Sequence, residues 1–207
     1  TEVELVCLCS KNNEPAGDLN YKLIPELLVS RAQFINPFSW YKIINAVKKE
    51  KITHLILEHP YHGIAGWLAK KLYGVKLIVH SHNIEAERFK ETGSKWWRLL
   101  ATYEKWTHRR ANLNLFKTEE ELNYAVTHFG LNKDRCLSTP YGIDPEEKKP
   151  DPHEARNIIC ERHNISPAEK TLLFAGTLDY KPNAEAVENI YKEIAPRLTA
   201  KNFQGKI

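Results

Sequence analysis

The sequence predicts an α/β fold built on a parallel sheet, and three observations carry that prediction. Short apolar runs of strand length, such as HLILE at 54–58 and KLIVH at 76–80, alternate with longer segments of helical periodicity. The runs lack strict apolar–polar alternation, as strands covered on both faces require. The turns after them hold histidine, glycine, asparagine and acids, and ligands bind such sheets at the carboxyl ends of the strands.

The elements follow in order. Residues 2–10 read as a strand, with Cys7 and Cys9 on one face. FSWYKIINAVKKE (38–50) sets Ile43, Ile44 and Val47 at helical spacing. The strand at 54–58 leads to a helix at 63–72, which closes near Gly74, a residue suited to a C-cap. The next strand is 75–80. KWWRLLATYEKWTHRRA (95–111) is helical, with Trp96, Leu99, Leu100, Tyr103 and Trp106 on one side and expected in the core. A strand at 113–117 meets Thr118, which caps a helix to 129 and forms a capping box with Glu121. A strand at 135–139 ends in PYGID (140–144).

The composition then changes. PEEKKPDPHEA (145–155) is rich in proline and charge and reads as a linker. A helix at 153–163 follows, then a strand at 171–175, a polar turn and a helix at 184–194 with Asn183 as its N-cap. The chain therefore divides into 1–144, a linker and connecting helix at 145–168, and 169–207, which restarts the strand–helix pattern of a second α/β domain.

With 207 residues, 42% of them hydrophobic and 27% charged, the chain can bury one sizeable core. A formal charge of +4 is too small to point to nucleic acid, and no zinc-finger spacing is present. No run has the length of a membrane span, and the opening TEVELVCLCS does not read as a signal peptide. Four cysteines without paired CxxC spacing read as reduced thiols of a cytoplasmic protein. GxSxG, a P-loop and GxGxxG are all absent.

Four turns share the ligand-binding edge, after the strands at 54–58, 75–80, 135–139 and 171–175. They supply His59, His82, Asn83, Glu85, Gly142, Gly176 and Lys181 as candidate site residues. Each has a structural alternative. His82 can bond to its own turn, while Asn83 and Glu85 can cap the following helix. Gly142 and Gly176 can serve as ordinary turns, and Lys181 can be a solvated lysine. His80 and His82 form HxH with both rings on one side of a strand, half of a metal site. The residues directly after them are Asn83, Ile84 and Glu85 rather than the further ligands of a metallohydrolase, so no metal is expected.

HSHNIEAERF (80–89), PYGID and LLFAGTLDYKPNAEAVENIYKEIAPRL (172–198) resemble family 4 glycosyltransferases of the GT-B fold. The resemblance covers residues 52–198 by motif placement and rests on element order before that. It implies two facing Rossmann-like domains, an N-terminal one for the acceptor and a C-terminal one for the donor. It also implies a retaining transfer from a nucleotide-sugar, without a bound metal or other cofactor, to a carbohydrate or lipid-linked acceptor. His82 matches the family's histidine at the acceptor edge, and Gly176 and Lys181 fall near its donor-phosphate turn.

This sequence departs from the family pattern in two places. Thr1 falls after the family's first glycine-rich turn, and Thr177 stands where many members have arginine. The family's ribose-binding acidic pair would lie beyond Ile207, so these 207 residues alone are expected to be inactive. The aromatic and basic helix at 95–111 also suits peripheral contact with the inner face of a membrane. The alternatives are a sugar-nucleotide epimerase of similar fold and a non-catalytic binding domain on the same scaffold.

Overall fold

The computed structural model describes residues 3–13, 17, 19–142 and 151–206. They fall into two compact units that divide after Gly142. Asp144 and the linker residues to 150 lie outside the described residues.

The first unit opens with β1 (Val6–Ser10) and β2 (Lys22–Leu27), a parallel pair. β2 was not expected, because KLIPEL mixes charges with Pro25. Proline is tolerated on a strand of this kind because a two-stranded pair has an outer edge that needs no N–H. α1 (Pro37–Lys49) starts under the Asn36 side chain, which accepts from Phe38 N at 2.9 Å. β3 (His54–Glu58) and α2 (Gly63–Tyr73) follow, and α2 stops at left-handed Gly74 (φ 70°) as expected. β4 (Lys76–Ser81), the short α3 (Glu85–Glu91) and α4 (Trp97–Arg110) come next. β5 (Leu113–Phe116) meets α5 (Glu119–Tyr124), where Thr118 Oγ1 accepts from Glu121 N at 3.2 Å. A π-helical turn (Ala125–Phe129) continues α5, and β6 (Cys136–Ser138) ends the sheet.

β3, β4, β5 and β6 form one parallel sheet in that order. The unit is therefore an α/β, Rossmann-like domain, as the sequence predicted. Its register pairs Glu58 with His80 and His80 with Leu115. Leu57, Leu77 and Val79 pack with Ala111, while Phe116 and Cys136 pack with Leu122, Ala125 and Phe129 of the α5 segment. Leu77, Val79 and Phe116 are wholly buried, worth about 1.5–3 kcal/mol each.

Helices on both faces were expected, but the four apolar clusters of the described residues draw on one sheet face. On the other, Ile56 is 48% and Leu137 52% exposed. Strand parity puts Glu58 and His80 on that open face. A second correction concerns α4. Tyr103 and Trp106 stack at 5.9 Å, but Trp96 (72% exposed) and Leu99 (64%) face solvent. An apolar stripe at helical spacing fixes which residues share a face, and only packing decides how much of the stripe is covered.

In the second unit, α6 (Pro152–His163) begins at Asp151, whose carboxylate accepts from His153 N and Glu154 N. β7 (Lys170–Thr171) pairs in parallel with β8 (Gly205–Lys206). α7 (Lys181–Asn189), a π-helical turn (Ile190–Ile194) and α8 (Ala195–Ala200) lie between them. The strand expected at 171–175 is only two residues long, and Leu172, Leu173 and Phe174 are exposed. A strand with one short neighbour has few ladder bonds to extend it. Asn183 is not the N-cap of α7. It lies inside the first turn and donates from Nδ2 to Thr177 O at 3.0 Å.

Candidate active site

The site forms where β3 and β4 end. His59 follows Glu58 with φ 68° and ψ 159°, a conformation almost reserved for glycine and costing about 1–3 kcal/mol. Its N–H donates to His80 O at 2.9 Å, so the sheet ladder holds the strained residue in place. The His59 ring stacks on His82 at 4.6 Å, and His82 lies 4.7 Å from the His80 ring. His80 and His82 both turn toward Glu58. His82 Nε2 is 2.6 Å and His80 Nδ1 3.1 Å from its carboxylate. Burial alone would raise the Glu58 carboxyl, but these two histidines hold it below its ordinary range.

Beneath this cluster is Glu85, wholly buried. Its carboxylate accepts from Tyr61 Oη (2.5 Å), Arg88 Nε (2.9 Å) and Arg88 Nη2 (2.5 Å), and lies 3.1 Å from His59 Nδ1. Burial works against ionisation, yet His59, Tyr61 and Arg88 bring Glu85 down to about 2. Tyr61 is raised by burial and by Glu85. Tyr61 is itself positioned from α4, because Tyr103 Oη donates to Tyr61 O at 3.0 Å.

Neither Asn83 nor Glu85 caps α3, contrary to the helix-cap alternative. The N-cap position is Ile84, without a side-chain bond. Buried Glu104 of α4 does the capping, accepting from Glu85 N and Ala86 N at 2.9 Å each. Burial pushes Glu104 up to about 7 against these two N–H groups. Asn83 is exposed and lines an open groove with Glu87, Arg88, Glu120, Glu121 and Tyr124.

Three of the predicted residues therefore meet: His59, His82 and Glu85 touch or share partners, and Asn83 adjoins them. Gly142 is exposed with open space around it. Its neighbour Tyr141 reaches the cluster, with Oη 3.4 Å from His82 Nδ1 and its ring 4.3 Å from Lys117 Nζ. Gly176 and Lys181 belong to the second unit. A Cβ on Gly176 would lie 2.7 Å from Asn183 Nδ2, and Lys181 Nζ stands 3.5 Å from Glu185 in solvent.

Sequence reasoning placed Tyr61 and Tyr141 on the candidate turns without giving either a role, and it missed Glu58, Arg88 and Glu104. Glu58 did leave a signal, since a carboxylate closing an apolar strand needs a partner at the sheet edge. His62 and His108 are histidines of a different kind. Burial brings both down to about 4, and His108 packs neutral between Phe116 and Phe129 while Nδ1–H donates to Asn114 Oδ1 at 2.8 Å.

No helix among the described residues is long and apolar enough to cross a membrane. A comparison with curated proteins finds no match. The family model Glycosyltransferase Family 4 matches residues 1–147, which take in the first unit and every residue of the histidine cluster. The chain belongs to glycosyltransferase family 4, which implies in general a donor and an acceptor substrate.

Proposed function

We propose that the β3–β4 edge holds an acceptor hydroxyl for a nucleotide-sugar donor, and that a hexosyl group is transferred with retention of anomeric configuration. The observation that carries this reading is strained His59, stacked on His82 and anchored by buried Glu85. Strain of that size persists where surrounding contacts over-determine it, and it gathers at functional sites. The adjoining groove favours the acceptor over the donor. Glu87, Glu91, Glu120 and Glu121 line it, and carboxylates accept from sugar hydroxyls while repelling a pyrophosphate.

In the proposed step the acceptor oxygen bonds to the anomeric carbon as the bond from that carbon to the phosphate oxygen breaks. The acceptor proton leaves on the released nucleoside diphosphate. His82 contacts the sugar, Asn83 offers its amide to hydroxyls, and Glu85 holds His59 in place. The protein contributes position and preorganised charge rather than a cofactor. Gly176 and Lys181 are assigned to the donor phosphate, within a second unit that begins the donor domain, and Gly142 to the turn before the linker.

The acceptor is a carbohydrate or lipid-linked saccharide of cytoplasmic glycan or glycolipid synthesis. Exposed Trp96 and Leu99, beside Lys95 and Arg98, support contact with the inner face of a membrane. The test is a panel of UDP- and GDP-sugars with the full-length protein, with product configuration read by NMR. An inverted product would overturn the retaining reading, and a panel with no binding would overturn the donor assignment.

A further inference from the structure

We propose that Glu58, His80 and His82 form a three-ligand site for a zinc-class divalent cation at the open edge of the sheet. HxH by itself offers two ligands and nothing useful directly after it. The fold supplies the third from the neighbouring strand, because the parallel register sets Glu58 against His80. One ligand atom each from Glu58, His80 and His82 lies within 4.8 Å of the other two, and His80 Nδ1 and His82 Nε2 are the ring nitrogens that face the Glu58 carboxylate. This is the only such grouping among the described residues.

The chemistry suits one class of ion. Two imidazoles and a carboxylate are borderline ligands, suited to zinc and its neighbours rather than to magnesium or calcium. Three protein ligands with an open position is the arrangement of zinc sites that also take water or a substrate oxygen. Ligands about 2.0–2.1 Å from a tetrahedral ion stand about 3.3–3.4 Å apart. The His80–Glu58 distance of 3.1 Å is already close to that. The His82–Glu58 distance of 2.6 Å must open by somewhat less than an ångström. Glu58 is 60% exposed at its side chain, so it can swing without disturbing the core.

Outer contacts orient the ligands. Tyr141 Oη lies 3.4 Å from His82 Nδ1, the ring nitrogen left over when Nε2 binds a metal. The His59 ring packs on the face of His82 at 4.6 Å and limits its rotation. Occupancy would also take His82 away from sugar. That consequence rests on the transferase reading, whereas metal binding does not.

The experiment is a titration of the chelator-stripped chain with Co2+ and, in competition with a chromophoric chelator, with Zn2+. The expected result is one ion per chain, with visible d–d bands of a four-coordinate nitrogen and oxygen site. Glu58→Gln and His80→Ala should each weaken binding at least tenfold, and His153→Ala should leave it unchanged. Far-UV circular dichroism on each variant checks that it folds. Absence of binding would overturn the proposal, as would binding unchanged in both Glu58→Gln and His80→Ala. So would an intense near-ultraviolet thiolate band, which would place the ion on Cys7 and Cys9. No sugar enters the assay, so its outcome is separate from that of the transferase test.

Discussion

Replacing Glu85 with glutamine should unlock the floor of the site. The side chain keeps its shape but loses the charge that His59, Tyr61 and Arg88 converge on. Glu85 is wholly buried and sits at about 2 instead of its ordinary 4.5. That difference corresponds to about 3 kcal/mol of stability at pH 7, falling to about 1 kcal/mol at pH 3. The sign follows from the depressed carboxyl. Its contribution is complete above the unfolded value and is lost as pH falls through the folded one. All five tryptophans (40, 67, 96, 97 and 106) lie in the first unit, so their fluorescence reports on that unit alone. Urea titrations of wild type and Glu85→Gln at pH 7 and pH 3 give the gap directly. The variant should also lower kcat, because His59 loses its anchor beside His82. A gap below about 1 kcal/mol at pH 7, or one that stays constant to pH 3, would refute the argument.

Three further outcomes follow. His82→Ala should cost a hundredfold or more in rate while shifting unfolding by about 1 kcal/mol or less, since the ring lies at an open edge; normal kinetics would remove it from the site. Gly63→Ala should destabilise by about 1–3 kcal/mol, because a Cβ there would clash with the Thr107 side chain, and Thr107→Ala should recover part of the loss in urea titrations. Glu104, raised to about 7, should make the wild type about 2–3 kcal/mol less stable at pH 8 than at pH 5, full stability lying below its ordinary 4.5, and Glu104→Gln should flatten that slope.

Much of this protein was legible in local sequence. The strand at 54–58, the helix stop at Gly74 and the Thr118 cap were read from apolar runs, a left-handed glycine and a hydroxyl before a helix. These signals act over a few residues, so periodicity and capping chemistry record them directly. His59 and His82 were found because ligand edges follow strands in a parallel sheet. β2 stayed hidden because Pro25 and its flanking charges carry little strand propensity, and its pairing with β1 decides the matter.

What only the tertiary structure decided is which groups share an environment. Glu104 caps α3 from 18 and 19 residues away in sequence, displacing the nearby Asn83 that sequence favoured. Glu58 meets His80 and His82 through strand register, and Tyr141 reaches His82 across 59 residues. The open sheet face likewise depends on where the helices pack, which the apolar runs do not specify. Periodicity tells which residues of one element point together. The carboxylate that becomes a cap, a histidine partner or a buried anchor is chosen by distances between elements, and those exist only once the chain has folded.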